Sequence, residues 1–214
     1  MFKNFRYILH SFAPNYLWEG FFALLISGLC FLSGASAGRD VGFARMAALY
    51  FNLFPGILLV TMLLVGNAFT TSILDLALSY GARRDDYYGG LLLFSGFNTF
   101  VFWASDILFY FLPIWMGWKG EFNPPSFSPM FPALLMAALS LGCALGPFIS
   151  GARWLGCLMG GLGGGFIGGA TVHSSFSSTV FWHDFGWIPF SLALLVTLLC
   201  QLKTRSIIVN ATVR

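Results

Sequence analysis

Long apolar runs alternate with short polar segments along most of the chain. The runs are close in length to the ~20 residues that an α-helix needs to cross the hydrocarbon core of a bilayer. The pattern predicts an all-α integral membrane protein in which residues 1–214 form a single transmembrane domain. We predict six transmembrane helices, at residues 17–37, 46–70, 91–113, 130–149, 155–172 and 187–202.

The segment before the first predicted span, residues 1–16, mixes aromatic with basic side chains. Phe12 and Tyr16 share it with Lys3 and Arg6. Helices of this composition commonly lie in the membrane interface, with aromatic side chains in the acyl boundary and basic ones among the headgroups. We therefore predict an N-terminal interfacial helix.

The composition agrees with a membrane protein and excludes an ordinary soluble domain. Hydrophobic residues make up 57% of the chain and charged residues only 9%, whereas soluble domains average about 25% charged residues. The net charge of +3 comes from scattered basic residues, so we predict no nucleic-acid partner. The four cysteines lie in apolar runs without C-x-x-C spacing, which indicates buried thiols and no metal site.

Basic residues are distributed unevenly among the polar segments. With both termini cytoplasmic, eight lie on the inner side and three on the outer side. The inner set is Lys3, Arg6, Arg83, Arg84, Arg153, Lys203, Arg205 and Arg214; the outer set is Arg39, Arg45 and Lys119. Inner loops of membrane proteins are enriched in Lys and Arg, so the bias predicts a multi-pass protein of the cell membrane in this orientation.

Ser72–Gly90 is a charge-dense segment between two long apolar runs. A helix in this segment carries Leu74, Ala77 and Leu78 on one face. Asp75 lies near the opposite face. The pattern predicts a short amphipathic helix at the point where the second and third spans meet the cytoplasm.

Glycine and acidic residues are expected to delimit this short helix. Gly81 is suited to end it, because glycine readily adopts the left-handed conformation of helix C-termini. Asp85 or Asp86 is suited to cap the next helix. The residues alone leave two interpretations open: a short docking helix and an ordinary charged cytoplasmic loop.

Residues 78–87 read LSYGARRDDY. They resemble the "LS-[FY]-G-x-[ST]-R-[RK]-[DE]-[FY]" segment of small bacterial ABC-2-type ABC transporter permeases, with Ala82 followed directly by Arg83 as a departure. The sequence similarity is confined to residues 76–90, whereas the predicted order of spans and loops resembles the family over the whole chain. It implies a cytoplasmic coupling helix that docks on a separate ATPase subunit. The docking residues it implies are Leu74, Asp75, Leu78, Tyr80, Gly81, Arg83, Arg84, Asp85 and Asp86.

The same resemblance implies a permease subunit, most often of an exporter. Such subunits form homodimers or heterodimers in the bilayer and bind two nucleotide-binding subunits. This chain is not predicted to be an enzyme, because Lys3, Lys119 and Lys203 are its only lysines and none lies in a G-x-x-x-x-G-K-[ST] phosphate loop. ATP and Mg²⁺ are therefore expected in the partner subunit, and no cofactor in this chain.

A glycine cluster in the fifth predicted span forms two ridges at helical spacing. Such ridges let membrane helices approach closely, because packing rather than hydrophobicity drives their association. The cluster predicts a helix-packing face, either static or able to slide or hinge. The ridges are Gly160, Gly164 and Gly168, and Gly161, Gly165 and Gly169.

Asp106 is the acid expected inside the membrane, in the third predicted span. Intramembrane acids face the protein interior or a wet cavity. We predict an ion pair between Asp106 and Arg45, with a substrate or proton site as the alternative. Asn52, Asn67 and Asn98 are predicted to form interhelical hydrogen bonds, or else to line a translocation path.

Two other classes of protein compete with the ATP-driven transporter. One is a membrane assembly or immunity protein that transports nothing. The other is an ion-coupled secondary transporter, for which we expect more than one intramembrane acid and an inverted repeat. Asp106 is the single acid that the sequence interpretation assigns to the membrane interior.

Overall fold

The computed structural model describes residues 2–120, 127, 129–151 and 187–211, which are helical apart from short turns. Their helices are α1 (Phe2–Ala35), α2 (Arg39–Thr70), α3 (Ser72–Ser79), α4 (Arg84–Trp115), α5 (Met130–Gly151) and α6 (Trp187–Val209). Five long helices in this part of the chain, all but α3, have the length and apolar character needed to cross a membrane. The helical class is thus confirmed for the described residues and is compatible with a multi-pass membrane protein. The predicted span 155–172 lies outside them.

The N-terminal segment is part of one continuous helix, which corrects the prediction of a separate interfacial helix. α1 continues through Pro14 without interruption. Phe5 and Phe12 stack edge-to-face on Phe97 and Phe94 of α4, with ring centroids 6.0 Å and 5.5 Å apart. The apolar face of the segment therefore packs on α4. α1 and α4 run in the same direction, since Phe5 lies against Gly90 and Tyr16 bonds to Asn98 further along both helices.

Two hydrogen bonds bring helix ends together around α3. The Tyr87 hydroxyl near the start of α4 donates to the Phe69 carbonyl at the end of α2, at 2.7 Å. The Arg84 guanidinium donates to the Ala211 carbonyl just beyond α6, also at 2.7 Å. The starts of α1 and α4 and the ends of α2 and α6 thus share the end of the bundle that carries α3, called here the α3 end.

α2 and α5 cross at a contact built from glycines. A Cβ atom on Gly142 of α5 would overlap the Leu63 carbonyl oxygen, and one on Gly66 of α2 would overlap the Leu139 carbonyl oxygen. Gly142 and Gly146 form a G-x-x-x-G ridge, the spacing that permits close approach of membrane helices. This close backbone contact therefore depends on glycines that the sequence interpretation did not single out.

Basic side chains of the described residues concentrate at the α3 end. Six lie there and three lie at the opposite end. The α3 end has Lys3, Arg6, Arg83, Arg84, Lys203 and Arg205; the opposite end has Arg39, Arg45 and Lys119. The positive-inside rule accordingly predicts that the α3 end faces the cytoplasm.

Single cysteines at exposed positions test this orientation. In a background lacking the native cysteines, Ala37→Cys in the α1–α2 turn is expected to react with an impermeant thiol reagent in intact cells. Ser79→Cys at the end of α3 is expected to react only after permeabilisation, because both positions are exposed but lie at opposite ends of the bundle. Reaction of Ser79→Cys in intact cells would reverse the orientation.

Candidate functional site

α3 is attached to the bundle through its apolar face. Leu74 and Ala77 are almost completely buried and belong to the same core as Phe69 and Tyr87. Leu78 is half-buried and packs against that core. The helix therefore presents only its opposite side to solvent.

Gly81 ends α3 with a defined backbone geometry, as the sequence predicts. Its φ is +80°, in the region that glycine adopts without strain. The Gly81 N–H donates to the Leu78 carbonyl at 3.0 Å, and the Ala82 N–H donates to the Ala77 carbonyl at 3.1 Å. This pair of bonds is the Schellman arrangement, which satisfies the last carbonyls of a helix and fixes the direction of the chain leaving it.

The start of α4 differs from the prediction that an aspartate caps it. Arg83 occupies the N-cap position in an extended conformation, and its side chain makes no capping hydrogen bond. Asp85 and Asp86 lie inside the first turn. Acidic side chains there stabilise a helix through its macrodipole, which explains their place without a capping role.

An exposed surface runs from α3 across the turn to the first residues of α4. It is named here the junction surface. Its two large apolar side chains, Leu76 and Tyr80, are 47% and 78% exposed and lie one helical turn apart. The other members are polar or charged: Asp75, Ser79, Arg83, Arg84, Asp85 and Asp86.

The predicted docking residues therefore fall into two groups. Leu74 and Leu78 face the bundle and support α3 from below. Asp75, Tyr80 and the charged residues of the turn belong to the junction surface. The sequence interpretation missed Leu76, although its spacing of four residues from Tyr80 already placed both on the face opposite Leu74.

Asn98 of α4 links three helices. Its carboxamide oxygen accepts a hydrogen bond from the Tyr16 hydroxyl of α1 at 2.7 Å, and its amide group donates to the Met62 sulfur of α2 at 3.1 Å. Asn67 of α2 is half-buried, and its carboxamide oxygen has no hydrogen-bond partner among the described residues. Only the backbone of Asn52 is described.

The predicted ion pair between Asp106 and Arg45 stays a prediction, and the two residues differ in burial. Asp106 is fully buried in α4. Arg45 is exposed, and its guanidinium donates to the Ser33 carbonyl of α1 at 2.9 Å. Arg45 thus bonds to a backbone carbonyl near the end of α1.

Glu19, like Asp106, has buried carboxylate oxygens inside a helix long enough to span the membrane, and the sequence interpretation overlooked it. It lies two residues inside the first predicted span, on α1. Both of its carboxylate oxygens are buried and have no hydrogen-bond partner among the described residues. A bare carboxylate in such surroundings is costly unless a cation or a proton neutralises it.

The glycine cluster of Gly160, Gly161, Gly164, Gly165, Gly168 and Gly169 lies outside the described residues, so its predicted packing role stays a prediction. Three cysteines are described, and none forms a disulfide: Cys30 and Cys143 are buried and Cys200 is half-buried. Buried thiols of this kind pack like small apolar side chains.

Comparison of the chain with protein-family models, curated proteins and solved structures finds no match. The class that the described residues define is a helical protein with five long apolar helices, compatible with a multi-pass membrane protein.

Proposed function

We propose that the chain is the permease subunit of an ATP-driven transporter whose energy comes from a separate nucleotide-binding ATPase. The observation that carries the proposal is the junction surface, where Leu76 and Tyr80 expose apolar area among charged side chains. Exposed apolar side chains rimmed by polar ones are typical of protein-interaction sites. The α3 end is also the predicted cytoplasmic end, where an ATPase would bind.

The packing of α3 against α2 and α4 would allow a force applied to α3 to reach both long helices. Leu74 and Ala77 embed the helix in the core beside Phe69 of α2 and Tyr87 of α4. The Tyr87–Phe69 hydrogen bond ties the two long helices together beneath it. A partner that pulls on α3 therefore displaces the ends of α2 and α4 as well, because close-packed interiors transmit strain rather than absorb it.

ATP and Mg²⁺ are assigned to the partner, since the lysines of this chain lie in no phosphate loop. Two copies of the permease subunit, identical or related, would enclose the substrate path in the bilayer. Closure of the ATPase subunits around ATP would then change the packing of the two halves and release substrate, in the outward direction for an exporter.

Aspartate substitutions on the junction surface test the proposal. Leu76→Asp and Tyr80→Asp are expected to abolish co-purification of the chain with nucleotide-hydrolysing activity from native membranes, measured as phosphate release. A charge without a partner in an interface costs about 2–5 kcal/mol, enough to lower the affinity at least thirtyfold. Arg84→Glu is expected to weaken co-purification as well.

Lys119→Asp is the matched control, because it places an acidic side chain at an exposed position on the opposite end of the bundle. It should retain the associated activity. If the Leu76 and Tyr80 variants insert normally and keep the activity at wild-type levels, the junction surface is not an ATPase-docking site.

Glu19 supports a second candidate, an ion-coupled secondary transporter. With Asp106 it gives the long apolar helices two acids whose carboxylate oxygens are buried, so the argument against this class from a single acid no longer holds. Proteoliposomes that contain the purified chain alone distinguish the two. Substrate uptake driven by an imposed ion gradient supports the secondary transporter, and uptake that needs ATP and an ATPase subunit supports the permease.

A further inference from the structure

A cavity of about 410 Å³ lies between α1, the second half of α2 and the start of α3. Cavities of ~300–1,000 Å³ are the usual size for small-molecule sites. Its lining on α1 extends from Ser11 to Phe22, which corresponds to a length of about 16 Å at the helical rise of 1.5 Å per residue. It thus forms an elongated groove that ends at Ile73, close to the α3 end.

Glu19 is the one ionisable side chain among the residues that line the groove. Its carboxylate oxygens are buried without a hydrogen-bond partner among the described residues. Tyr16, one turn earlier on α1, does not serve as that partner, because its hydroxyl donates to Asn98. A buried carboxylate in this position is stabilised by a cation or a proton.

Aromatic rings make up much of the remaining lining. Phe12 and Phe69 lie with ring centroids 6.1 Å apart, and Trp18 and Phe22 lie 6.2 Å apart. The faces of such rings attract cations, and most strongly where water is excluded. The groove therefore combines a carboxylate and aromatic ring faces, which both attract positive charge, with apolar side chains that favour an apolar ligand.

The exposure of the rim shows where an occupant enters. Trp18 and Phe22 are more than half exposed, and Leu64 on the facing side is 48% exposed. These side chains belong to helices long enough to span the membrane, so the groove opens sideways toward lipid. An amphiphile already dissolved in the bilayer reaches it without crossing water.

We propose that this groove binds lipophilic cations that carry a single positive charge on an apolar body. The body lies among the aromatic rings, and the charge is neutralised by Glu19. Both carboxylate oxygens are covered by protein in this structure. To reach the occupant, the carboxylate must therefore turn toward the groove by rotation about the side-chain bonds of Glu19. This proposal goes beyond the ATPase partnership and does not rest on it.

Tetraphenylphosphonium is a suitable probe, and tetraphenylborate is its counterpart of the same shape and opposite charge. Equilibrium dialysis of the purified chain against each ion separately, without any ATPase, is expected to show saturable binding of the phosphonium and no comparable binding of the borate. Glu19→Gln should weaken that binding at least about tenfold, since it keeps the shape and removes the charge. Ala68→Phe, which adds a ring to the groove lining, should also weaken it.

Asp40→Asn is the matched control, because it removes an exposed carboxylate at the start of α2, remote from the groove. It should bind the phosphonium as the wild type does. All variants are compared at equal monodispersity in size-exclusion chromatography. Equal phosphonium affinity in wild type and Glu19→Gln, or borate binding as tight as phosphonium binding in separate dialyses, would overturn the proposal and identify a groove selective only for apolar bodies.

Discussion

Gly142→Ala is expected to lower the thermal stability of the purified protein, whereas Gly96→Ala is expected to raise it slightly. In both cases a methyl group is added to a glycine inside a helix. At Gly142 the new Cβ atom would overlap the Leu63 carbonyl oxygen of α2, while at Gly96 nothing lies within 4 Å. Overfilling a packed contact costs about 1–3 kcal/mol. Replacing glycine by alanine in a helix otherwise gains ~1 kcal/mol.

The measurement is the midpoint of thermal unfolding in detergent for the two variants and the wild type. Gly142→Leu should go further and prevent isolation of a monodisperse protein, because a backbone oxygen cannot move aside as the end of a side chain can. A midpoint for Gly142→Ala equal to or above that of Gly96→Ala would contradict the close crossing of α2 and α5.

The five long apolar helices of the described residues follow from the sequence, because the thickness of a bilayer sets the length of an apolar run. The neighbours of each helix do not follow from it. Phe12 can pack equally well on lipid or on another helix, and only the position of α4 decides between them. The ridge of Gly142 and Gly146 is likewise one of several small-residue ridges, and nothing in the apolar run around it marks α2 as its partner.

The candidate site likewise has features that the sequence predicts and features that depend on tertiary packing. The stop at Gly81 is a local property of the backbone, so it is predictable. The burial of Leu74 depends on tertiary packing: an apolar helix face must be covered, but the sequence does not say whether a partner or the bundle itself covers it. Glu19 was visible in the sequence as an acid inside the first predicted span, whereas the covering of its carboxylate oxygens depends on tertiary packing.

Leu74→Asp is expected to be among the most destabilising substitutions in the described part of the chain, and Leu76→Asp among the mildest. Both place the same charge on α3, only two residues apart. Leu74 is 2% exposed and lies in the core that joins α2 and α4, whereas Leu76 is 47% exposed on the junction surface. An uncompensated buried charge costs about 3–5 kcal/mol. Exposed substitutions usually change the free energy of unfolding by less than ~0.5 kcal/mol.

Thermal unfolding and the yield of monodisperse protein measure this difference. Leu74→Asn is a useful companion variant, since it keeps the shape and polarity of aspartate without its charge and should be intermediate. If Leu74→Asp retained wild-type stability, α3 would be detached from the core, and a partner bound to the junction surface would have no rigid connection to α2 and α4. The stability of this variant therefore tests the mechanical part of the proposed function separately from ATPase docking, which Leu76→Asp tests on an intact fold.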